Sequence, residues 1–383
     1  MQKIPFNKPY LTGNELGNIE IAAKSGKLSG NGQYTKKCQR FFEQRYGFKK
    51  TFLTTSCTDA LEMAAILIDI KPGDEVIMPA YTFVSTANAF VLRGAKIVFV
   101  DSRKDHPGMD EKQIESQITS RTKAIVPVHY AGVACDMDLI MSLADKHNLF
   151  VIEDAAHAID SFYINKKGEK LPLGSIGHLA AFSFHETKNI ISGEGGMLVI
   201  NEEKFKNRAE IIWEKGTNRS AFFRGEVDKY NWVDIGSSYL PSEITAAFLW
   251  AQLENLEKIQ NRRIEIWDLY REKLRHLSEV TNIMLPVVPN YATNNGHMFY
   301  MVCENIEQRS LLIKQLKDKG VLAVFHYLSL HKSPFYFEKY QGAELKNSDK
   351  YSQRLLRLPF FFELEENAIE LITNTIDETI KAS

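Results

Sequence analysis

Short apolar runs rich in β-branched residues recur through the first two thirds of the chain. Glu75–Pro79 (EVIMP), Ala95–Val100 (AKIVFV), Ala124–Val128 (AIVPV) and Leu149–Ile152 (LFVI) are four of them. Helical stretches such as Asp138–Ala144 (DLIMSLA) lie between them. Continuously apolar strands separated by helices predict a parallel sheet covered on both faces. Ala180–Phe184 and Gly196–Ile200 read as two further strands, joined through a polar segment. The pattern changes after about residue 240. Glu243–Leu274 reads as one long helix with apolar positions at helical spacing and many charges. His297–Val302, a helix over Arg309–Lys319, Val321–Phe325 and a last helix from about Glu365 complete a smaller α+β unit. The expected division is a large domain over residues 1–245 and a small C-terminal domain over 246–383, with the long helix at its start.

Composition narrows the class. A length of 383 residues suits two domains. Apolar residues at 44% and charged residues at 25% are ordinary for a globular protein, and a net charge of −1 gives no basic footprint for nucleic acid or a membrane surface. The longest apolar runs, such as Ala64–Ile68, are far too short for a bilayer, and residues 1–6 show no signal-peptide pattern. Cys38, Cys57, Cys135 and Cys303 are too scattered for a disulfide framework or a zinc site. The expectation is a cytoplasmic protein with reduced thiols and no metal.

Two segments carry candidate chemistry. The run Val151–His157 (VIEDAAH) ends a strand with Asp154 and places His157 one helical turn later. The run Phe182–Asn189 (FSFHETKN) frames Lys188 between aromatics, with Gly193–Gly196 (GEGG) just beyond. A lysine amine, a strand-end carboxylate and hydroxyls at a helix start are what a pyridoxal-phosphate enzyme needs: a Schiff-base amine, a partner for the pyridinium nitrogen and a phosphate site. Each residue also has a plainer role. Asp154 alone would be a helix cap, His157 a structural histidine, and Thr54–Thr58 (TTSCT) the cap of the apolar helix Ala60–Ile68. The same helix start supplies amides and hydroxyls for a phosphate. Pro79–Phe83 (PAYTF) places aromatics after another strand end, one of which can stack on a pyridine ring. Gly193–Gly196 is no dinucleotide fingerprint, because it leads into a strand rather than out of one. A nicotinamide oxidoreductase is therefore excluded.

The ordered motifs SCTxA, PxYTF, EDAAH, SFHxxKN and GEGG resemble the DegT/DnrJ/EryC1/StrS family of pyridoxal-phosphate sugar aminotransferases, over nearly the whole chain. The resemblance extends to Glu75–Pro79, Thr82–Asp101, Val126–Cys135, Glu214–Ser220, Phe222–Gly225 and Asp234–Leu240. It implies an α/β fold of the aspartate-aminotransferase type (fold type I). By position, Lys188 stands for the family's Schiff-base lysine and Asp154 for the acid at the pyridine nitrogen. His157 stands beside the cofactor's phenolic oxygen and Phe83 on its ring. Cys57, Thr58 and Ser183 stand at its phosphate. Ser238 replaces an asparagine that many members contribute from the neighbouring subunit. Asn165–Pro172 departs from the family as a longer turn, expected to be a surface hairpin.

The resemblance further implies two half-reactions at one site. L-glutamate is the amino donor, and a nucleotide-linked 4-keto-6-deoxyhexose carried on dTDP is the acceptor. The galacto product is favoured. It implies a homodimer with shared active sites. Arg219, His326, Tyr327 and His331 are candidates for substrate contacts, and each fits a surface or core role as well. The rival readings are a C3-specific aminotransferase, a dehydratase relative, and a non-catalytic protein that kept the fold. The dehydratases of the family carry histidine at the lysine position, which Lys188 disfavours.

Overall fold

The computed structural model describes residues 3–382. Strands β1 (Lys50–Thr54), β2 (Glu75–Pro79), β3 (Lys96–Val100), β4 (Thr122–Ile125) and β5 (Phe150–Asp154) are followed by the hairpin β6 (Phe162–Ile164) and β7 (Lys170–Pro172). Strands β8 (Leu179–Ser183), β9 (Gly196–Ile200), β10 (Tyr300–Val302) and β11 (Leu355–Arg357) come after it. The first helices are α1 (Glu15–Lys24), α2 (Gln33–Tyr46), α3 (Cys57–Leu67), α4 (Val84–Val91), α5 (Met137–His147), α6 (Glu203–Trp213) and α7 (Arg219–Phe223). Helices α8 (Glu243–Leu253), α9 (Leu256–Leu274), α10 (Leu277–Val280), α11 (Ile306–Asp318), α12 (Lys346–Arg354) and α13 (Glu366–Lys381) complete the set.

Seven strands form one sheet in the order β1-β9-β8-β5-β4-β2-β3. The pairs β3/β2, β2/β4, β4/β5 and β5/β8 are parallel, and β9 runs antiparallel to both β8 and β1. The expected mainly parallel α/β sheet is therefore present, with one reversed strand. The reversal arises because the lysine segment turns back directly: Phe184 N donates to Gly195 O and Glu186 N to Gly193 O. A return that short can only be antiparallel. Strand order changes direction at β2, with β3 on one side and β4 on the other. Ligands in such sheets bind beyond the carboxyl ends of the strands near such a reversal.

Local sequence explains the elements that hold the site. Strands β2 and β9 are buried on both faces, which their uninterrupted apolar runs require. Helix α3 is buried along most of its length between sheet and neighbouring helices, and its hydroxyl-bearing start is capped by Ser56, which accepts from Asp59 N at 3.1 Å. Strand β1 escaped the pattern reading, because Lys50, Thr51 and Thr54 dilute its apolar content.

The expected helix over Glu243–Leu274 breaks into α8 and α9 at Glu254–Asn255. Asn255 Nδ2 donates to Ala251 O at 3.0 Å, so an asparagine side chain competes for the helix backbone at the break. Ala246, Ala247, Leu249, Leu253, Leu256 and Ile259 pack into the large core beside the sheet. From Ile266 onward α9 packs instead with Phe299, Leu312, Leu356 and Ile372 in a second core. Glu243, buried at the start of α8, accepts from the amides of Gly32, Tyr34 and Thr35 and so caps α2. In the second unit, only 300–302 of the expected strand 297–302 pairs, with β11. Val321–Phe325 forms no strand: it makes isolated bridges from Val321 to Ile4 and from Val324 to Arg357. The run lacks a partner long enough to hold it as a ladder. Asn165–Pro172 does form the turn and second strand of the β6/β7 hairpin.

Candidate active site

A cavity of about 550 Å³ opens beyond the carboxyl ends of β2, β5 and β8. Ser56, Cys57 and Thr58 of the α3 start line one side. Phe83, Asp154, His157, Ser183 and Lys188 line the rest, together with His326 and Tyr327 from the second unit. Nine of the twelve residues singled out from the sequence, Lys188 and two of the substrate candidates among them, thus line one chamber.

Asp154 ends β5 and is buried. Its Oδ2 accepts from Thr86 Oγ1 at 2.7 Å and its Oδ1 from Ala156 N at 3.2 Å. Burial raises its pKa, against these two bonds and the charges of Lys188 and His129. A buried carboxylate in that state lacks one close positive partner. A protonated pyridine nitrogen is such a partner, so the chamber fits pyridoxal phosphate at this end. At the other end, the first-turn amides of Cys57 and Thr58 have no intrahelical acceptor and face the same chamber. Gly196 makes that end possible. A Cβ there would lie 2.4 Å from Cys57 N and 2.3 Å from the carbonyl carbon of Ser56.

Burial lowers the Lys188 amine to about 8, with Cys57 and Asp154 opposing and Arg357 adding to the effect. The neutral amine is the form that attacks an aldehyde, and roughly a tenth of it is neutral one unit below its pKa. The rate at which cofactor-free protein captures pyridoxal phosphate therefore rises with pH up to about 8 and levels above it. Stopped-flow absorbance between pH 6 and 9 measures this, and a flat profile would contradict it.

His157 is held neutral. Burial drives its pKa well below the usual value, and Lys188 and Arg357 push the same way. Ala131 N donates to His157 Nδ1 at 3.2 Å, so the ring proton sits on Nε2, which is 3.3 Å from Tyr327 Oη. Ala131 adopts the left-handed conformation (φ 57°) to present that amide, a strain of order 1 kcal/mol or more held by the surrounding packing. His297 stacks on His157 at 4.2 Å and donates from Nδ1 to Asn189 Oδ1 at 2.7 Å. His326 stacks on Tyr327 at 3.6 Å and contacts Tyr130 Oη through Nδ1 at 2.7 Å. Phe83, 55% exposed, stands at the mouth, 6.0 Å from Tyr327.

Three sequence candidates lie elsewhere. Arg219 and Ser238 line a separate cavity of about 1060 Å³ together with Lys27, Lys215 and Arg224. Arg219 lies over Phe223 at 5.3 Å, and Ser238 pairs with Glu214. His331 is buried beside Asp349 at 3.6 Å and is not among the residues lining the Lys188 chamber. Sequence reading missed Thr86, Ala131, His297 and Arg357. Only Thr86 left a trace: Thr82 and Thr86 are four apart, and their hydroxyls meet at 2.9 Å beside Asp154.

A mainly parallel α/β sheet that brings a depressed lysine amine, a partner-seeking carboxylate and a helix start to one chamber defines a fold type I pyridoxal-phosphate aminotransferase. The DegT/DnrJ/EryC1/StrS aminotransferase family matches residues 9–377, and the chain belongs to that family. The spore coat polysaccharide biosynthesis protein SpsC of Bacillus subtilis is 31% identical over 389 residues, 99% of this chain and 98% of that one. A candidate sugar aminotransferase of Streptococcus pneumoniae, Spr1654, solved in its PLP and PMP forms, superposes in the PLP form with a TM-score of 0.89 at 25% identity. That match covers 100% of this chain and 99% of the other. DesV of S. venezuelae gives 0.88 at 28% identity, covering 99% and 98%. The cofactor of this chain is pyridoxal phosphate.

Proposed function

We propose that the chain moves the amino group of L-glutamate to C4 of a nucleotide-linked 4-keto-6-deoxyhexose. The substrate we assign is dTDP-4-keto-6-deoxy-D-glucose, and the product dTDP-4-amino-4,6-dideoxy-D-galactose. The observation that carries the reading is the convergence of Lys188, Asp154 and the α3 start on one chamber. The substrate assignment rests on the sequence resemblance over Thr82–Asp101, Val126–Cys135 and Asp234–Leu240. The polysaccharide role printed for SpsC supports an amino sugar destined for a glycan.

When bound, pyridoxal phosphate supplies an electron sink for the pair left when a C–H bond is broken. Asp154 would keep the ring nitrogen protonated, the α3 amides with Thr58 and Ser183 would hold the phosphate, and Phe83 and neutral His157 would flank the ring. Lys188, once displaced by the incoming amine, takes the proton from the donor's α-carbon and returns it at the cofactor's C4′. The donor's nitrogen stays behind as 2-oxoglutarate leaves. The same amine works in reverse on the keto sugar, delivering a proton to C4.

Ser238 and Arg219 lie outside this chamber, next to an apolar stretch with Phe223 70% and Trp232 84% exposed. We propose that this arm packs on a second copy and brings Ser238 to that copy's cofactor phosphate. The large cofactor-binding domain (1–245) and small domain (246–383) then close over the substrate.

An absorbance titration tests the reading. The visible band of the lysine-bound cofactor should bleach on adding L-glutamate and return only with dTDP-4-keto-6-deoxy-D-glucose. Recovery with a 3-keto sugar instead would reassign the chain as a C3 enzyme. A protein that shows no band after incubation with pyridoxal phosphate would leave only the fold.

A further inference from the structure

Asn189 follows Lys188 directly, is buried, and does not line the chamber. Both hydrogens of its side-chain amide and the amide oxygen are taken. Nδ2 donates to Gln260 Oε1 and to Asn295 O, each at 2.9 Å, and Oδ1 accepts from His297 Nδ1 at 2.7 Å. The carbonyl of Asn295 fixes which way the amide points, because a flipped amide would set oxygen against oxygen there. Two routes lead from these partners to His157. His297 stacks on the His157 ring at 4.2 Å, with 19° between the planes. Asn295 Nδ2 donates to His157 O at 2.7 Å and to Ile159 O at 2.8 Å, and Asn295 Oδ1 accepts from His297 N at 3.0 Å. The backbone packs closely around this group: a Cβ on Gly132 would lie 2.2 Å from Asn295 Oδ1. Lys188 itself has little to hold it. Its backbone amide donates to His185 O at 2.9 Å, and its amine makes no hydrogen bond among the described residues.

We infer that Asn189 is a positioning residue for Lys188: its side-chain clamp holds the lysine's Cα in register with His157. The inference rests on the aminotransferase reading above. It follows from the reach of a lysine. A flexible four-carbon stem separates the amine from Cα, so the fold governs the amine through the backbone position and the chamber walls. The proton that Lys188 moves passes between the donor's α-carbon and the cofactor's C4′. A displacement of about 1 Å in such a transfer costs about a hundredfold in rate. His157 stands beside the same cofactor. Tying the neighbour of Lys188 to the residues that hold His157 therefore keeps the amine and that ring in one frame. The clamp is also uncharged. Its members are amides, a backbone carbonyl and an imidazole that burial keeps neutral. A carboxylate or an ammonium at the same place would change the field at Lys188, and this set does not. A buried asparagine that only stabilised the fold would show the same bonds, and what separates the two roles is whether the effect passes through Lys188.

A double-mutant cycle between Asn189→Ala and Lys188→Ala, on the cofactor-loaded protein, tests this. A small primary amine is supplied as the base wherever Lys188 is absent. The rate read throughout is the release of 2-oxoglutarate from L-glutamate in a single turnover. Beside an intact Lys188, Asn189→Ala should slow that rate about 10- to 100-fold at saturating glutamate. The half-saturating glutamate concentration should stay within about threefold, since no contact to the donor is lost. In the Lys188→Ala protein, adding Asn189→Ala should lower the amine-dependent rate by less than about threefold, because the side chain it positions is gone. A second readout needs no turnover. Cofactor-free Asn189→Ala should capture pyridoxal phosphate on Lys188 about tenfold more slowly than wild type, the size of a partial misalignment of the amine. An equal loss of rate in both backgrounds overturns the inference, since it assigns Asn189 to the fold or to His157. A loss below about threefold beside intact Lys188 overturns it as well. Should Asn189→Ala fail to fold, His297→Phe takes its place in the same cycle. That change keeps a ring on His157 and removes the bond to Asn189, so the loss should be about tenfold beside Lys188 and less than about threefold without it. A wild type that shows no visible band and releases no 2-oxoglutarate removes the aminotransferase reading itself, and the inference with it.

Discussion

Replacing Lys188 by alanine leaves a folded protein that still takes up pyridoxal phosphate but transaminates at least about 10³-fold more slowly, because acid–base catalysis alone contributes roughly 10²–10⁴-fold. The side chain lines the chamber, and among the described residues no hydrogen bond to its amine holds the fold together. Truncation therefore removes chemistry more than packing. Two consequences separate this from a folding defect. The visible band of the lysine-bound cofactor should be lost, while the absorbance of noncovalently bound cofactor remains. A small primary amine added to the buffer should restore part of the proton transfer, since the missing element is a base at the α-carbon and the space for it is vacant. Activity within tenfold of wild type would show that another group moves the proton.

Asp154→Ala should lower cofactor affinity and the rate of both half-reactions by about a hundred- to a few-thousand-fold, because breaking one side of a buried ion pair costs about 3–5 kcal/mol. The reasoning starts from the carboxylate's surroundings. Thr86 and Ala156 each give it one hydrogen bond, and burial still raises its pKa. A protonated ring nitrogen would reverse that by giving the charge a partner. Asp154→Asn keeps the shape and the Thr86 contact but presents no negative charge. It should bind the cofactor better than Asp154→Ala and yet react nearly as slowly. A rate for Asp154→Asn close to wild type would mean that ring protonation is not what Asp154 provides. Thr86→Val probes the same charge from behind and should have a smaller effect, since one neutral hydrogen bond to a charged group is worth about 1.5–3 kcal/mol.

Much of the site was legible because its parts lie in short, ordered segments. The acid closes an apolar strand, the lysine lies between a strand and a glycine turn, and the phosphate site is a hydroxyl-rich helix start. Each is a local pattern with a local physical cause. The residues that escaped notice act across the chain. Arg357 reaches Lys188 from 169 positions later in the sequence, and nothing in Arg354–Pro359 (RLLRLP) marks it as facing a chamber. His297 gains meaning only by stacking on His157. Ala131 is an unremarkable residue until its left-handed backbone turns its amide to His157. Conversely, His331 was a candidate for substrate contact, and the fold seats it beside Asp349 instead.

Periodicity and residue type were enough to determine the α/β class, the positions of most sheet strands, and the roles open to Lys188 and Asp154. Those properties follow from burial along one strand or one helix face, which neighbouring residues encode. The fold alone decided that β9 runs backwards, that α8 and α9 are separate helices feeding different cores, and that Arg219 and Ser238 stand apart from Lys188 within one chain. It alone decided that Arg357 lines the chamber. Pairing direction, the division of a helix between two cores and the approach of remote side chains depend on which surfaces meet. That is a property of packing in three dimensions, and no local pattern contains it.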